Sequence, residues 1–229
     1  MFAITRTPLL AVSLLAFASL HAEARDKPHY SVTIDATAIG APPDAADASR
    51  DLETVLSVQT ERTPKQEDQA LKDARQSLTG FLEGMDAPID KGELKKARRL
   101  FKAAAETLEE ALAPVKSRFD RPRPFKTSAN VKVCPARLPS SSSFPSTHAA
   151  TGTLFAALLA HVAPERKADL EKRGLDYGWS RVVCGFHYPS DIEAGRTGGR
   201  LVADALLRDH AFAKRLEEVT PQLRKALGL

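Results

Sequence analysis

Apolar residues recur at helical spacing along most of the chain from about residue 47 onward. Leucines and valines three or four positions apart predict a first helix that ends near Thr60. Thr63 followed by Pro64 is typical of an N-cap with proline in the first helical turn, and the helix that follows is expected to run through Leu82. A further helix is predicted over residues 91–118, where Pro114 is expected to kink or split it.

The second half of the chain opens with a proline-rich break. Prolines at positions 122, 124, 135 and 139 and a serine run over residues 140–143 disfavour helix and predict a loop of about 25 residues. Long loops in compact domains are usually functional or disordered. Beyond the loop, helices are predicted over residues 148–162, 164–177, 188–210 and 211–227, and the first of these is apolar enough to be buried.

These patterns predict an all-α, single-domain helical bundle. No stretch of any length alternates apolar and polar residues as a strand would. Residues 25–46 lack helical periodicity and contain Pro42 and Pro43, so they predict an irregular, extended N-terminal arm on a helical domain of residues 47–229. Gly195 and Gly199 lie one helical turn apart, which would let a neighbouring helix approach closely.

Residues 1–24 differ from the rest of the chain. Arg6 precedes an apolar run over residues 9–20, and Ala22-Glu23-Ala24 resembles a signal-peptidase site. This pattern predicts a cleaved secretory signal peptide. The alternative, a permanent membrane anchor, is disfavoured because a helix needs roughly 20 residues to cross the hydrocarbon core. We therefore expect bacterial export to the periplasm or the medium and no integral membrane association.

The composition is that of a soluble globular protein. Hydrophobic residues make up 43% and charged residues 27% of the chain, which excludes wholesale disorder and a multispanning membrane protein. The net charge of +4 suits anionic ligands without requiring them. Basic residues are not interleaved with aromatic residues as on a nucleic-acid-binding surface, so nucleic acid is not expected as a specific partner.

The two cysteines are Cys134 and Cys184. In an exported protein they are a candidate disulfide, and closing a loop of about 50 residues would stabilise the fold by roughly 4 kcal/mol in the chain-entropy model. Two reduced, buried thiols are the alternative, because a disulfide requires Cα atoms within bonding range.

Three short segments carry the candidate chemistry, and the most C-terminal of them is SRVVCGFHYPSD, residues 180–191. His187 and Asp191 are four residues apart and could face the same way at a helix start. A carboxylate on one ring nitrogen would leave the other nitrogen free as a base or nucleophile. A helix-terminal polar pair and a metal-binding pair are the alternatives, and the cationic Arg181 disfavours a divalent metal ion.

The middle segment is FPSTH, residues 144–148. Ser146 is suited to cap the buried helix, and the amides of Thr147 and His148 at the positive end of that helix would form an anion site beside the imidazole. Taken alone, the segment also fits a serine that only caps and a histidine that is solvated. It lacks the two glycines of a serine-hydrolase elbow.

The remaining segment, residues 116–124, joins a long helix to the proline-rich loop. Arg123 offers a fork that binds phosphate oxygens in pairs, and Lys116 adds a point charge. A basic loop by itself is usually only solvated. Because all three segments are suited to an oxyanion, their coincidence in one helical domain favours an oxyanion-binding site.

Together, the segments resemble the signature of the phosphatidic acid phosphatase type 2 (PAP2) superfamily. The motifs K-x6-R-P, P-S-x-H and S-R-x5-H-x3-D follow in that order over residues 116–191. The superfamily includes bacterial class A non-specific acid phosphatases, lipid phosphatases and vanadium haloperoxidases. The chain length and the predicted signal peptide resemble the class A acid phosphatases. The resemblance implies a helical bundle of the acid phosphatase and haloperoxidase type.

The resemblance also implies roles for single residues. His187 would be the nucleophile that takes the phosphoryl group, Asp191 would orient it, and His148 would protonate the leaving alcohol and later activate water. The phosphoryl oxygens would be bound by Lys116, Arg123, Ser146, Thr147 and Arg181. No metal ion or other cofactor is implied, because side chains supply the cations. Thr147 stands where the family motif has glycine, which could narrow the phosphate site.

The implied function is a metal-independent acid phosphatase that cleaves phosphomonoesters through a phosphohistidine intermediate. A vanadate-dependent, haloperoxidase-like oxidoreductase and a non-catalytic protein that binds phosphorylated ligands are the alternatives. Because His187 must be neutral and His148 protonated, activity is expected to peak at mildly acidic pH. The expected partner is a small phosphorylated substrate, and nucleotides, sugar phosphates, pyrophosphate and lipid phosphates all fit. Self-association into a homo-oligomer is also compatible with the sequence.

Overall fold

The computed structural model describes residues 29–85 and 94–229, and these are helical without β-strands. The helices are α1 Ala45–Glu61, α2 Pro64–Lys72, α3 Leu78–Glu83, α4 Lys95–Phe119, α5 Pro124–Thr127, α6 Thr147–Val162, α7 Lys167–Val183, α8 Pro189–Arg208 and α9 His210–Ala226. The all-α class is confirmed. The predicted signal peptide, residues 1–24, lies outside the described residues.

Helix α6 is the centre of the bundle. Most of its residues are buried, as its apolar composition predicted. It packs chiefly between α7 and α8, and α4 and α9 contact it as well. Phe155 of α6 meets the rings of Phe81 and Phe101 edge to face, with centroids 6.0 and 5.2 Å apart. Burial of such rings is a major contribution to the stability of the core.

Two glycines of α8 allow this helix to lie close to the beginning of α6. A Cβ atom at Gly195 would collide with the carbonyl oxygen of Ser146, and one at Gly199 would collide with that of Ala150. The predicted close approach at these glycines is confirmed. The contact aligns the N-terminal ends of α6 and α8, which carry His148 and Asp191.

The second predicted helix is divided into α2 and α3. Helix α2 begins at the N-cap predicted at Thr63. It ends before Asp73, whose buried carboxylate forms a 2.6 Å ion pair with Arg173 of α7. In the turn that follows, the carbonyl of Arg75 accepts a 2.6 Å hydrogen bond from the hydroxyl of Tyr177. The prediction of one continuous helix was wrong because these tertiary bonds stabilise a turn that apolar spacing does not reveal.

Helix α4 and the proline-rich loop also depart from the predictions. Helix α4 is unbroken at Pro114, so of the predicted kink or split the split is wrong and the kink stays a prediction. Its expected start at residue 91 lies outside the described residues. The loop contains the one-turn helix α5 because Pro124 occupies its first position, where no N–H is needed.

The N-terminal arm lies against the helical body. The carbonyl of Tyr30 accepts a 2.8 Å hydrogen bond from the hydroxyl of Thr107 on α4, and its ring packs edge to face on Phe212 of α9. A 3-10 helix over Ala36–Ile39 interrupts the irregular backbone before α1. Among the described helices, none combines the length and apolarity needed to cross a bilayer.

The packing of α8 on α6 generates a stability prediction. Gly199→Ala is expected to lower the free energy of unfolding by about 1–3 kcal/mol, because the added methyl group must displace the α6 backbone. Denaturant unfolding followed by circular dichroism measures the change. Asp204→Ala, at an exposed position of the same helix, is the control. Equal stability of Gly199→Ala and the wild type would contradict the close contact.

Candidate active site

A cavity of about 320 Å³ opens where the beginning of α6 meets the ends of α4 and α7. The predicted site residues that line it are Lys116, Arg123, Thr147, His148, Arg181 and His187. The three sequence segments, separated by up to 75 positions from Lys116 to Asp191, therefore converge on one space. Asp191 lies behind His187 and is fully buried.

The end of α7 explains the spacing between Arg181 and His187. Helix α7 continues to Val183, beyond its predicted end near residue 177, so Arg181 lies in its last turn. Gly185 adopts a left-handed backbone with φ of 71°, which reverses the chain. The carbonyl of Arg181 then accepts hydrogen bonds from the amides of Phe186 and His187, at 2.9 and 3.3 Å. A helix end and one turn thus bring both side chains to the cavity.

A disulfide joins Cys184 at the end of α7 to Cys134 in the proline-rich loop. The amide of Cys134 also donates a 3.3 Å hydrogen bond to the carbonyl of Cys184. The loop after Cys134 includes cavity-lining residues such as Arg137 and Pro139. The disulfide therefore ties one wall of the cavity to the helix that carries Arg181.

Asp191, the third residue of α8, is held by donors on both carboxylate oxygens. Oδ2 lies 3.3 Å from Nδ1 of His187 and accepts hydrogen bonds from the hydroxyl of Ser143 at 2.5 Å and the amide of Tyr188 at 2.9 Å. Oδ1 accepts from Arg121 at 2.7 Å. Burial acts to raise the pKa of Asp191, but the hydrogen bond from His187 and the charges of His187 and Arg121 outweigh it and lower that pKa. The group stays ionised.

The contacts of His187 assign its tautomer. Nη1 of Arg123 lies 3.0 Å from Nε2, and a guanidinium can only donate, so Nε2 holds a lone pair. The ring proton is then on Nδ1, facing Asp191. Burial lowers the pKa of His187 to about 4, although its hydrogen bond to Asp191 opposes the shift. At neutral and mildly acidic pH the ring is neutral, and the lone pair of Nε2 faces the donor of Arg123.

The cationic side chains are held in place by backbone carbonyls. Lys116 donates to the carbonyl of Ser142 at 2.9 Å, Arg123 donates through Nε to that of Ser141 at 2.9 Å, and Arg181 donates to that of Ala70. Burial lowers the pKa of Lys116 to about 8, with the charge of Arg123 adding to the effect. It also lowers the pKa of Arg123 and of Arg181 to about 10.

These three cations, of which Arg123 and Arg181 are buried and Lys116 is half-buried, outnumber the acidic groups among the described residues that line the cavity. Among the described residues that line the cavity, Glu109 is the only one with a carboxylate, and it lies near Lys116. Positive charges that lack equal negative charge in a partly desolvated space attract an anion. The cavity is therefore suited to an oxyanion.

His148 lies on the first turn of α6, with its ring stacked on Tyr177 at a centroid distance of 4.3 Å. Its Nε2 is buried and has no hydrogen-bond partner among the described residues. Burial, followed by the charges of Arg181, His187 and Arg173, holds the pKa of His148 well below 6.5. A buried ring nitrogen without a partner is costly unless a ligand supplies one.

Ser146 and Thr147 occupy the start of α6 in different ways. The hydroxyl of Ser146 accepts a 3.2 Å hydrogen bond from the amide of Ala149, which confirms the predicted N-cap. Ser146 is fully buried and is not among the described residues that line the cavity, so its contact with phosphate stays a prediction. Thr147 lines the cavity. Amides in the first helical turn have no intrahelical partner and are available to an anion.

Three residues that support the predicted site residue Asp191 were not identified from the sequence. Ser143 and Arg121 bind Asp191 directly, and Asp51 of α1 binds Arg121 at 2.9 Å. Arg121-Pro122 repeats the R-P pattern of Arg123-Pro124, which was a signal that a second arginine could serve the site. Ser143 is hidden in a serine run, and Asp51 is 70 residues from Arg121 in a helix with no unusual pattern.

The order and geometry of these residues agree with a comparison against protein families. Residues 100–215, just over half of the chain, match the family model of the PAP2 superfamily. The chain belongs to the PAP2 superfamily. The resemblance inferred from the three motifs is thereby confirmed.

Relatives within the PAP2 superfamily include non-specific acid phosphatases. One from Salmonella typhimurium is 39% identical over 117 residues, which cover 49% of this chain and 46% of that protein, so the match spans about half the relative's length. One from Providencia stuartii is 30% identical over 173 residues, covering 72% of this chain and 69% of that protein.

A solved structure supports the fold. The crystal structure of a transmembrane PAP2-type phosphatidylglycerolphosphate phosphatase from Bacillus subtilis aligns with a TM-score of 0.52 over 80% of this chain and 91% of that chain. The sequences are 19% identical, so the likeness extends to the fold alone. The predicted helical bundle of the PAP2 type is confirmed.

The depressed pKa of His187 generates a prediction about stability. Unfolded histidine has a pKa near 6.5 and folded His187 one of about 4, so the unfolded chain binds more protons between these values and stability falls as pH drops through that window. His187→Asn is expected to lose less stability than the wild type between pH 6.5 and pH 4.5. Urea midpoints at the two pH values measure the difference.

The exposed His161 supplies the control for that experiment. His161→Asn removes one histidine without touching the site and should lose stability with falling pH as the wild type does. An equal pH-dependent loss in the wild type and in His187→Asn would show that His187 does not titrate as described.

Proposed function

We propose that this protein is a metal-independent acid phosphatase that hydrolyses small phosphomonoesters through a phosphohistidine intermediate. One observation carries the proposal: an unprotonated Nε2 of His187 and an unpartnered Nε2 of His148 lie at a single cavity with Lys116, Arg123 and Arg181. That set combines a nucleophile, an acid and an anion-binding site, which are the parts that phosphoryl transfer needs.

In the first step, the phosphate group of the ester binds among the cationic side chains and the first amides of α6. Arg123, which contacts Nε2 of His187 in the free protein, turns its donor to a phosphoryl oxygen. Nε2 then attacks phosphorus while the bond to the leaving oxygen breaks, and protonated His148 supplies the proton to that oxygen. Asp191 stabilises the cationic ring through Nδ1–H.

In the second step, neutral His148 takes a proton from a water molecule that attacks the phosphorus. The bond between phosphorus and Nε2 breaks, its electron pair returns to the ring of His187, and phosphate leaves. Lys116, Arg123 and Arg181 stabilise the charge that spreads over the three equatorial oxygens in both steps. The role proposed for Ser146 is to hold the amides of α6 in position as the N-cap.

The cavity favours compact leaving groups. Its volume of about 320 Å³ lies at the lower end of the range for small-molecule sites. Beyond the phosphate-binding side chains, its walls combine polar residues with apolar ones: Gln76, Glu109 and Arg137 with Ala74, Ala136, Pro139 and Phe186. Such mixed walls suit a small leaving group with polar and apolar parts, such as a nucleoside.

We also propose export to the periplasm or the medium. The predicted signal peptide and the Cys134–Cys184 disulfide support this location, because disulfides persist in oxidising compartments.

Hydrolysis of p-nitrophenyl phosphate in excess chelator tests the chemistry. The wild type is expected to turn over, and His187→Ala is expected to lose about a thousandfold or more because the nucleophile is gone. His148→Ala should lose about 10²–10⁴-fold in steady state and show a burst of p-nitrophenol, because p-nitrophenolate leaves without needing the proton of His148, whereas hydrolysis of the phosphoenzyme lacks its base. His161→Ala, at the exposed end of α6, is the control and should retain activity.

Other results of that assay would point elsewhere. Activity lost to chelator would contradict the proposed mechanism. Phosphate binding without turnover would indicate a non-catalytic binding protein. Oxidation of bromide by peroxide in the presence of vanadate would indicate a haloperoxidase.

The pH dependence of kcat/KM follows from the two histidines. Activity should fall at low pH as His187 becomes protonated near its pKa of about 4, and it should fall at higher pH as His148 loses the proton that it donates. Because the pKa of His148 is held well below 6.5, the optimum is expected on the acidic side of neutrality. A rate that rises steadily to pH 9 would contradict these roles.

A further inference from the structure

A chain of alternating charges leads from helix α1 to His187. Asp51 of α1 binds Nη2 of Arg121 at 2.9 Å, and Nη1 of Arg121 binds Asp191 at 2.7 Å. Asp191 in turn faces Nδ1 of His187 at 3.3 Å. All of these side chains are buried, so solvent screens their interactions only weakly.

Arg121 is fixed in this arrangement from several sides. Its guanidinium lies over the ring of Tyr188, 4.1 Å from the centroid, and donates a 2.8 Å hydrogen bond to the hydroxyl of Ser190. A planar fork with two carboxylates in its plane leaves little freedom to rotate. The orientation of the carboxylate of Asp191 is therefore set by Arg121 as well as by its own helix.

Asp51 is held at the N-terminal end of α8. It accepts a 3.2 Å hydrogen bond from the amide of Ser190 and another from the hydroxyl of that residue. A carboxylate at this end of a helix is stabilised by the helix dipole. Helix α1, far from the three motifs in sequence, thus supplies the counter-charge to Arg121.

We propose that Arg121 and Asp51 are positioning residues for the nucleophile: Arg121 aims the carboxylate of Asp191 at His187, and Asp51 limits the positive charge that reaches this pair. The catalytic meaning of this inference rests on the proposed phosphatase function. The geometry of Arg121 and Asp51 and the effect of their charges on His187 do not depend on that function.

Protonation of His187 depends on the balance of positive and negative charges around its ring. Lys116 from α4, Arg123 from the start of α5 and His148 from α6 all act against protonation of His187, and Asp191 from α8 favours it. Asp51, Arg121 and Asp191 together carry one net negative charge. With Arg121 neutral the net charge would be −2, and with Asp51 neutral it would be zero.

Two substitutions that each remove one charge are therefore expected to act in opposite directions. Arg121→Gln should raise the pKa of His187, and Asp51→Asn should lower it, each by on the order of tenfold in the proton-dissociation constant. The double variant restores one net negative charge and should return the pKa toward that of the wild type. A role limited to general stability would give shifts of the same sign, or none.

The experiment is a titration of the His187 ring by NMR, with the resonance assigned by its loss in His187→Asn. Far-ultraviolet circular dichroism at each pH restricts the comparison to folded protein. Glu165→Gln, which breaks the ion pair between Glu165 and Arg224 beyond the C-terminal end of α6, is the control and should leave the His187 titration unshifted. Opposite shifts in the single variants and recovery in the double variant would support the proposal.

Shifts of one sign, or an unshifted His187 in folded Asp51→Asn, would overturn it. If Arg121→Gln does not fold, Arg121→Lys and Asp51→Asn are compared instead. Lysine keeps the positive charge of Arg121 but not its planar fork. In Arg121→Lys the proton-dissociation constant of His187 should therefore change less than tenfold, while kcat falls and KM changes little. The titration needs no substrate, so its result is independent of whether the protein hydrolyses phosphate esters. If the wild type does not hydrolyse p-nitrophenyl phosphate, the proposed phosphatase function is contradicted, but the proposed positioning of Asp191 and His187 is not.

Discussion

The site depends on the close contact between the beginnings of α6 and α8. Gly195 and Gly199 leave room for the carbonyls of Ser146 and Ala150, and the amide of Ser146 donates a 2.9 Å hydrogen bond to the carbonyl of Asp191. This contact places the first-turn amides of α6, which have no intrahelical partner, next to the first turn of α8, which carries Asp191. A side chain at either glycine would push the two helix ends apart and separate His148 from His187.

The excess of positive charge around the cavity is the second feature on which the site depends. Arg123 and Arg181 are buried and Lys116 is half-buried, burial lowers the pKa of all three, and carbonyls of the surrounding loops and helices accept their hydrogen bonds in place of water. The carboxylate of Asp191 is hydrogen-bonded to Arg121 and faces His187, and its charge favours protonation of Lys116 and Arg123, but it is one negative charge against three cations. An incoming phosphate would therefore complete a set of interactions that the protein leaves incomplete.

Much of the candidate site was predictable from local sequence. Ser146 was identified as an N-cap because a serine precedes an apolar helix, and His187 with Asp191 because a four-residue spacing at a helix start brings two side chains together. Ser143, Arg121 and Asp51 were not identified, because their roles arise from contacts between segments up to 139 positions apart. The turn between α2 and α3 was missed for the same reason.

The amino-acid sequence by itself determined the helical class, the order of the three motifs and the types of side chain available for an oxyanion, since these follow from local periodicity and chemistry. Only the tertiary structure decided which nitrogen of His187 faces the cavity, which carbonyls hold the cations and which carboxylate balances Arg121. Those properties depend on burial and on hydrogen-bond distances of about 3 Å between elements remote in the chain, and hydrogen bonds weaken steeply beyond such distances. Local spacing carries no information about them.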